Sequence, residues 1–216
     1  MESSRALISE ARPSMRFYDG VLRCLRPLYR LFFRLETRGE ENLPENDGFY
    51  LVANHISNHD PLFVSLALRR RVRYMAKKEL FTTPVVCRLV KALGAFPIDR
   101  GNIDLNAVRT AIDCVKHGET VGVFPQGHRC IGKPATSMPP KNGLGMLVGR
   151  TRSTVVPVAV VTKGNRARIF RRVTVIVGKP IPFDSFGVEG RSGEDYAAIT
   201  DKAFGAVTAL MPEENR

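Results

Sequence analysis

Short apolar runs alternate along the chain with longer amphipathic segments. The runs are rich in Val, Phe and Ile and are bounded by polar turns, as is typical of strands. We predict strands at residues 35–39, 49–53, 72–76, 95–98, 121–124, 155–161 and 173–177. Helical periodicity and helix-start signals predict helices at residues 60–68, 78–93, 104–117 and 195–210, with a short one after Lys141. This alternation predicts an α/β fold with a central, mostly buried mixed sheet flanked by helices.

The N-terminal segment has a different pattern. Residues 15–35 read MRFYDGVLRCLRPLYRLFFRL, and their arginines fall within an arc of about 80° on one helical face. These are Arg16, Arg23, Arg26, Arg30 and Arg34. Pro27 interrupts the pattern and predicts one kinked helix or two short helices. Two interpretations remain open: a core-packing helix with a solvated basic stripe, or an interfacial helix whose arginines meet lipid phosphates.

Two regions follow from this pattern. We expect an amphipathic membrane-surface helix or helix pair at residues 1–35 and a single α/β domain at residues 36–216. The chain has 33 Lys and Arg against 21 Asp and Glu, a net charge of +12, which indicates an anionic partner such as nucleic acid, a phospholipid surface or a phosphorylated substrate. It has no apolar run long enough to span a bilayer and no secretory signal, and its four scattered cysteines predict neither a disulfide framework nor a Cys-based zinc site.

Candidate chemistry lies where apolar strands end. Polar loops at residues 55–60, 99–100 and 126–129 each follow a predicted strand. Ligands bind at the carboxyl ends of strands in open α/β sheets, so we expect these loops to converge on one site. His55 is a candidate general base, and Asp60 is a candidate for the carboxylate that orients it. Arg100 and Arg129 suit a phosphate monoester.

Simpler interpretations of the same residues exist. Asp60 is placed to cap the helix that Pro61 begins, which would leave His55 an ordinary loop histidine. His55, His59 and Asp60 could instead hold a metal ion, but a helix that starts only at Pro61 does not place the two imidazoles on one face. The sequence therefore predicts no metal site.

Four blocks taken together resemble the glycerolipid acyltransferase family, and most of all its bacterial 1-acylglycerol-3-phosphate acyltransferases. Their order and approximate spacing match the family from about residue 17 to residue 182. The blocks are residues 54–61 (NHISNHDP), 94–100 (GAFPIDR), 124–129 (FPQGHR) and 156–158 (VPV). The third block usually reads FPEGTR, so Gln126 and His128 depart from the family pattern.

The resemblance implies a role for each matched position. His55 would deprotonate the acceptor hydroxyl, and Asp60 would orient it. Arg100, Gly127 and Arg129 would hold the acceptor phosphate, and Pro157 would pack beside the acyl chain. The implied reaction moves a fatty acyl group from acyl-CoA or acyl carrier protein to the sn-2 hydroxyl of lysophosphatidate, giving phosphatidate for phospholipid biosynthesis without a cofactor.

The expected partners are the thioester donor, the lysophospholipid acceptor and an anionic membrane surface. We expect a bacterial protein held peripherally at the cytoplasmic face of the cell membrane. The alternatives are transfer to another lysophospholipid, or a non-catalytic protein that binds anionic lipid. Nucleic acid is not expected as a partner, because no recognised motif interleaves the basic residues with aromatic ones.

Overall fold

The computed structural model describes residues 15–45, 48–99 and 104–216, through which one seven-stranded sheet runs. The strands are β1 (Glu36–Arg38), β2 (Tyr50–Ala53), β3 (Val72–Lys77), β4 (Phe96–Ile98), β5 (Thr120–Val123), β6 (Val155–Thr162) and β7 (Val173–Val177). They lie in the order β1-β7-β6-β2-β5-β3-β4. All neighbours are parallel except β6 and β7, which are antiparallel, so the predicted mixed sheet is confirmed.

Helices cover both faces of the sheet. They are α1 (Met15–Phe33), α2 (Asp60–Leu68), α3 (Pro84–Ala92), α4 (Leu105–Lys116), α5 (Gly143–Thr151) and α6 (Gly193–Ala209). Alternate residues of β2 point to opposite faces: Tyr50 and Val52 pack with α4, α5 and α6, whereas Leu51 and Ala53 pack with α2 and Phe33 of α1. This double coverage explains why the central strands β2 and β6 are almost continuously apolar rather than alternating.

The position of the site follows from strand direction. β2 lies at the centre of the sheet with all four residues buried, and it runs parallel to its neighbours β5 and β6. The loops after β2 and β5 therefore leave the same edge of the sheet, as predicted for the segments at 55–60 and 126–129. We call this edge the carboxyl edge and the opposite one the amino edge.

Helix α1 is one continuous helix that contains Pro27, not the broken pair that the sequence allowed. Tyr18 and Leu22 are buried against Leu66 of α2. Arg26 lies between α1 and α2, where its Nε donates to the Leu66 carbonyl at 3.2 Å. The broad apolar arc of the sequence is thus divided, because part of it packs on α2 and part faces outward.

The remaining differences from the predicted elements are small. The single helix expected at 78–93 is a 3₁₀ turn at Lys78–Phe81 followed by α3, because Pro84 lacks the N–H that would continue a helix and instead begins a new one. Within the described residues, no helix is both long and apolar enough to cross a membrane.

Candidate active site

His55 and Asp60 lie in direct contact at the carboxyl edge. His55 Nδ1 is 2.7 Å from Asp60 Oδ2, and Asp60 is completely buried. A carboxylate at this distance holds the hydrogen on Nδ1 and leaves Nε2 as the nitrogen able to accept a proton. The His55 side chain keeps 10% of its surface exposed, so the ring is reachable from the edge.

Asp60 does not cap its own helix, contrary to the simpler interpretation of the sequence. Helix α2 has His59 at its cap position, and Asp60 Oδ2 turns back to accept the N–H groups of Ile56 and Ser57 at 2.6 and 2.8 Å. The carboxylate thereby closes the loop onto itself and carries His55 with it. Burial raises the pKa of the Asp60 carboxyl, and its hydrogen bond to His55 and the two backbone donors oppose that rise.

The loop after β5 fixes His55 from the other side. The His55 ring stacks on Phe124, with centroids 4.3 Å apart and an interplanar angle of 20°. The His55 N–H donates to Gln126 Oε1 at 3.2 Å, and its carbonyl accepts the Cys130 N–H at 2.7 Å. The ring and both backbone polar groups of His55 are therefore held by residues 124–130.

A cationic cavity of about 350 Å³ adjoins this loop. Arg129 and Lys133 line it together with the apolar side chains of Ile131 and Met138. Arg129 also donates to Asn58 Oδ1, which links the cavity to the His55 loop. The combination of guanidinium, ammonium and apolar wall suits an amphiphile that carries a phosphate.

Gly127 shapes the rim of this cavity. Its φ of 71° is a left-handed conformation that favours glycine, and its N–H closes a turn onto the Phe124 carbonyl at 3.0 Å. Lys141 lies over the turn: its N–H donates to the Pro125 carbonyl, and its side chain passes about 3.5 Å from where a Gly127 Cβ would be. A third basic residue therefore lies over the turn that leads into the cavity loop.

Two predicted residues are not joined to this cluster. Arg100 lies outside the described residues. Pro157 is buried in β6 opposite Val52, and the strand's alternation puts its ring on the face covered by α6, whereas the Phe124 ring packs with the cluster on the other face. A role for Pro157 beside an acyl chain stays a prediction.

The predicted basic face of α1 is present but incomplete. Arg23, Arg30 and Arg34 are exposed, whereas Arg26 is bound to Leu66. The Arg16 side chain lies outside the described part of the chain. Arg34 follows the last helical residue and has a positive φ, so it extends the basic face beyond the helix.

Histidine–metal chemistry finds no support in the geometry. His59 is held apart from the His55–Asp60 pair, with Nδ1 2.8 Å from the Tyr29 hydroxyl of α1 and its ring among Tyr29, Phe33 and Phe63. In the described ranges, no three His, Cys, Asp or Glu side chains are grouped as metal ligands.

Four residues of the site escaped prediction. Phe124 was expected only as the end of a strand, and Gln126 only as a departure from the family block. The contacts of both residues with His55 depend on tertiary structure. Lys133 and Lys141 were not singled out, although the loop at residues 130–140 contains no acidic residue. That lack of acids is the signal that could have indicated an anion-binding loop.

A larger cavity, of about 860 Å³, lies at the amino edge. Four arginines (Arg69, Arg70, Arg71 and Arg73) line it, together with Asp19 and Glu119. The residues that begin β3 and β5, Val72 and Thr120, also contribute. The cavity is therefore separated from His55 by the length of the sheet.

Comparison with known proteins shows which family the chain matches and which solved structure it resembles. The acyltransferase family model matches residues 34–161, a range that contains His55, Asp60, Gly127, Arg129 and Pro157. The chain is 29% identical over 187 residues to the 1-acyl-sn-glycerol-3-phosphate acyltransferase of Bacillus subtilis, covering 85% of this chain and 92% of that protein. It is 31% identical over 148 residues to the Streptococcus pneumoniae protein of the same name, covering 65% of this chain and 53% of that one.

A solved structure resembles the chain over most of its length. The 1-acyl-sn-glycerophosphate acyltransferase PlsC of Thermotoga maritima matches with a TM-score of 0.61 and 25% sequence identity. The match covers 89% of this chain and 82% of that one.

Proposed function

Because the chain belongs to the acyltransferase family, we propose that it transfers a fatty acyl group from a thioester to the sn-2 hydroxyl of lysophosphatidate, producing phosphatidate. The observation that carries the proposal is the 2.7 Å contact between His55 and the buried Asp60 at a carboxyl edge lined with cations. The relatives from Bacillus subtilis and Streptococcus pneumoniae are named for this acceptor.

The chemistry needs one base and no protein nucleophile. His55 Nε2 takes the proton of the acceptor hydroxyl while its oxygen attacks the thioester carbonyl. The new C–O bond forms, the C–S bond breaks, and the proton on His55 passes to the departing thiolate. Asp60 stabilises the transient imidazolium and holds its orientation. General-base assistance of this kind supplies about 10²–10⁴-fold in rate.

The acceptor phosphate binds beside the base. Arg129 and Lys133 line the 350 Å³ cavity, and Lys141 lies over the adjoining turn. Three cations match the two negative charges of a phosphate monoester better than the single charge of a phosphodiester. This charge balance favours lysophosphatidate over lysophospholipids with an esterified head group.

The acceptor is an amphiphile, and the surface of α1 suits a bilayer. Exposed apolar residues occupy an arc of about 100° on the helix, bordered on one side by the exposed Arg23 and Arg30. These residues are Phe17, Leu28, Leu31 and Phe32. Leu31 is 66% exposed, which is unfavourable in water and favourable in a lipid interface.

The connection between β6 and β7 continues this apolar surface. Ile169 and Phe170 are exposed at its tip, and the Phe170 ring lies 6.1 Å from that of Phe32. The Phe170 N–H donates to the Phe32 carbonyl, so the tip is attached to α1. Arg166, Arg168, Arg171 and Arg172 surround the tip in the sequence. We call α1's exposed apolar face together with this tip the lipid-facing surface.

The lipid-facing surface is connected to the catalytic loops. Tyr29 of α1 contacts His59 in the loop that carries His55, and Gly132 in the cavity loop donates to the Asn165 carbonyl at the base of the tip. A lysophospholipid in the membrane surface therefore has a short path to His55. We place the protein peripherally on an anionic leaflet, at the cytoplasmic face where the donor thioesters are made.

The test is mass-spectrometric detection of phosphatidate from lysophosphatidate vesicles and an acyl thioester. Acyl-CoA and acyl carrier protein are supplied in separate reactions, which identifies the donor. The native protein should form product, and His55→Ala should form at least about 10²-fold less. His117→Ala is the matched control, since His117 is exposed at the amino edge and binds only the Asp113 carbonyl among the described residues.

Each outcome bears on a different part of the proposal. Equal activity in His55→Ala and the native protein would exclude His55 as the base. Lysophosphatidylcholine tested in parallel should be a poorer acceptor, and a preference for it would overturn the assigned head group. Absence of product with both donors and with either acceptor would refute the enzymatic function.

A further inference from the structure

Gln126 is a buried amide whose four contacts connect three segments of the site. Only 1% of its surface is exposed. Its Oε1 accepts the His55 N–H at 3.2 Å, and its Nε2 donates to the Ala135 and Met138 carbonyls at 2.8 and 3.4 Å. Nε2 also lies 3.0 Å from Cys130 Sγ. The His55 loop and the wall of the cationic cavity are thus tied to one side chain.

The chemistry of these partners fixes the orientation of the amide. The partner of Oε1 is an N–H donor, and the carbonyl partners of Nε2 are acceptors. A flipped amide would place donor against donor and acceptor against acceptor. The position therefore requires one acceptor and one donor at fixed places, which glutamine supplies.

A carboxylate does not meet this requirement. An ionised Glu at position 126 would have two acceptor oxygens, one of them about where Nε2 now lies, 2.8 Å from the Ala135 carbonyl oxygen. It would also bring a buried charge that no described cation contacts. Both effects raise the pKa of such a carboxyl well above its ordinary value. A protonated Glu, in contrast, would donate to Ala135 and accept from His55.

We propose that Gln126 is a positioning residue that holds the His55 loop in register with the cavity wall, and that this chain requires a neutral amide where the resembling family carries Glu. This inference rests on the proposed function for its kinetic readout. Gln126 acts through His55 and makes no substrate contact, so its loss should reduce kcat and leave the KM for lysophosphatidate nearly unchanged.

The test compares Gln126→Glu and Gln126→Met with the native protein across a range of pH. A misplacement of the base by about 1 Å costs roughly 10²-fold, which is the loss expected for both variants at about pH 8. Dividing each variant's kcat by the native value removes any pH dependence that the variant shares with the native protein. The Gln126→Glu ratio should rise by about tenfold or more as the pH falls to about 6, because the carboxyl becomes protonated. The Gln126→Met ratio should stay constant.

A buried amide elsewhere supplies the control. Asn215 is 1% exposed and donates through Nδ2 to the Thr162 carbonyl at 2.9 Å and to Asn165 Oδ1 at 2.7 Å, and none of its described hydrogen bonds involves His55 or Gln126. Asn215→Asp also buries an acid, so its stability should fall with rising pH, but its kcat ratio should not change. A pH dependence shared equally by both acidic variants would refute a specific role for Gln126.

Two further results would overturn the proposal. One is a Gln126→Glu variant as active as the native protein at every pH. The other is a change confined to KM, which would mean that position 126 supports binding of the acceptor rather than the placement of His55. If Gln126→Glu does not stay folded at neutral pH, its melting temperature is followed instead. The deficit relative to the native protein should shrink as the pH falls, and a constant deficit would contradict the inference. This readout remains valid even if the native protein forms no phosphatidate.

Discussion

The two edges of the sheet both collect charged residues, but they use them differently. At the amino edge, Arg73 is buried and binds Glu119 Oε2 at 2.8 Å and the Gly94 carbonyl at 3.1 Å. Arg71 is paired with Asp19, and Arg70 reaches Thr120 and lies over the ring of Phe49. At the carboxyl edge, Arg129 and Lys133 face a cavity, and the described partner of Arg129 is the neutral amide of Asn58.

The arginines at the amino edge have partners within the protein, whereas the cations at the carboxyl edge are placed to bind a ligand. The sequence is densest in arginine at 69–73, yet the partners of Arg70, Arg71 and Arg73 lie within the fold and contribute to its stability. The carboxyl edge has fewer charges, but it places cations that no described carboxylate neutralises beside a buried His–Asp pair. A ligand phosphate can neutralise those cations, which supports the smaller cavity as the proposed site of the acceptor phosphate.

The largest effect is expected from Asp60→Asn. An amide carries no negative charge, so it no longer stabilises the imidazolium that forms on His55, even if its oxygen keeps the three contacts of Asp60 Oδ2. Activity should fall by about 10³–10⁴-fold. The measurement is steady-state formation of phosphatidate, and Asp19→Asn at the amino edge is the control that should keep activity within about twofold.

We also expect Asp60→Asn to change the way in which stability depends on pH. Burial raises the pKa of the Asp60 carboxyl, so between its unfolded and folded pKa values the folded state binds more protons. Native stability therefore falls as the pH rises through that window, and Asp60→Asn lacks that fall. Its melting temperature relative to the native protein should increase with pH. A relative melting temperature that decreases with pH would contradict the raised pKa.

Glu119→Ala at the amino edge should lower the stability of the protein and leave its kcat nearly unchanged. It removes the carboxylate partner of Arg73, whose side chain is only 8% exposed, and breaking a largely buried pair costs about 3 kcal/mol. The melting temperature should drop by roughly 6–12 °C for a chain of this size. The kcat measured well below that temperature should stay near the native value. A selective loss of kcat in the folded variant would show that the two edges are coupled.

Arg129→Gln and Arg71→Gln compare one arginine from each edge. Hydrogen bonds to a charged ligand contribute about 1.5–3 kcal/mol, so Arg129→Gln should raise the KM for lysophosphatidate by about 10–100-fold. Arg71→Gln removes a solvent-exposed ion pair and should change neither KM nor kcat appreciably. If both substitutions raised KM equally, bulk positive charge rather than the cavity would be attracting the acceptor.

Most of the sheet and helices could be predicted because local signals agree with tertiary structure. Val173–Val177 is an unbroken run of β-branched residues and forms β7 as predicted. Asp104 caps α4 by accepting hydrogen bonds from the backbone N–H groups of Asn106 and Ala107. At Pro27 the sequence predicted one kinked helix or two short ones and could not decide between them, since packing of Tyr18 and Leu22 on α2 supports the single helix.

The site was predictable only as a set of residues. Spacing and resemblance brought His55, Asp60 and Arg129 together, but the side chain that ties the His55 loop to the cavity wall is Gln126, which looked like a departure from the family block. Its role depends on carbonyls at positions 135 and 138, and nothing in the sequence indicates that these face position 126. For the same reason the apolar arc of α1 could not be divided into a buried part and a lipid-facing part.

The lipid-facing surface should give the smallest effect per residue. Leu31 and Phe170 are 66% and 65% exposed, and partial transfer of one such side chain into lipid contributes about 1 kcal/mol, so each Gln substitution should weaken vesicle binding roughly fivefold. Leu105→Gln is the control, because Leu105 is 56% exposed at the start of α4, on the opposite face of the sheet from α1. Sedimentation with anionic vesicles measures the binding. Replacing Arg23 and Arg30 by Gln should reduce the salt dependence of this binding. Equal losses at residues 31, 170 and 105 would mean that lipid binding is spread over the whole protein rather than confined to the surface beside His55.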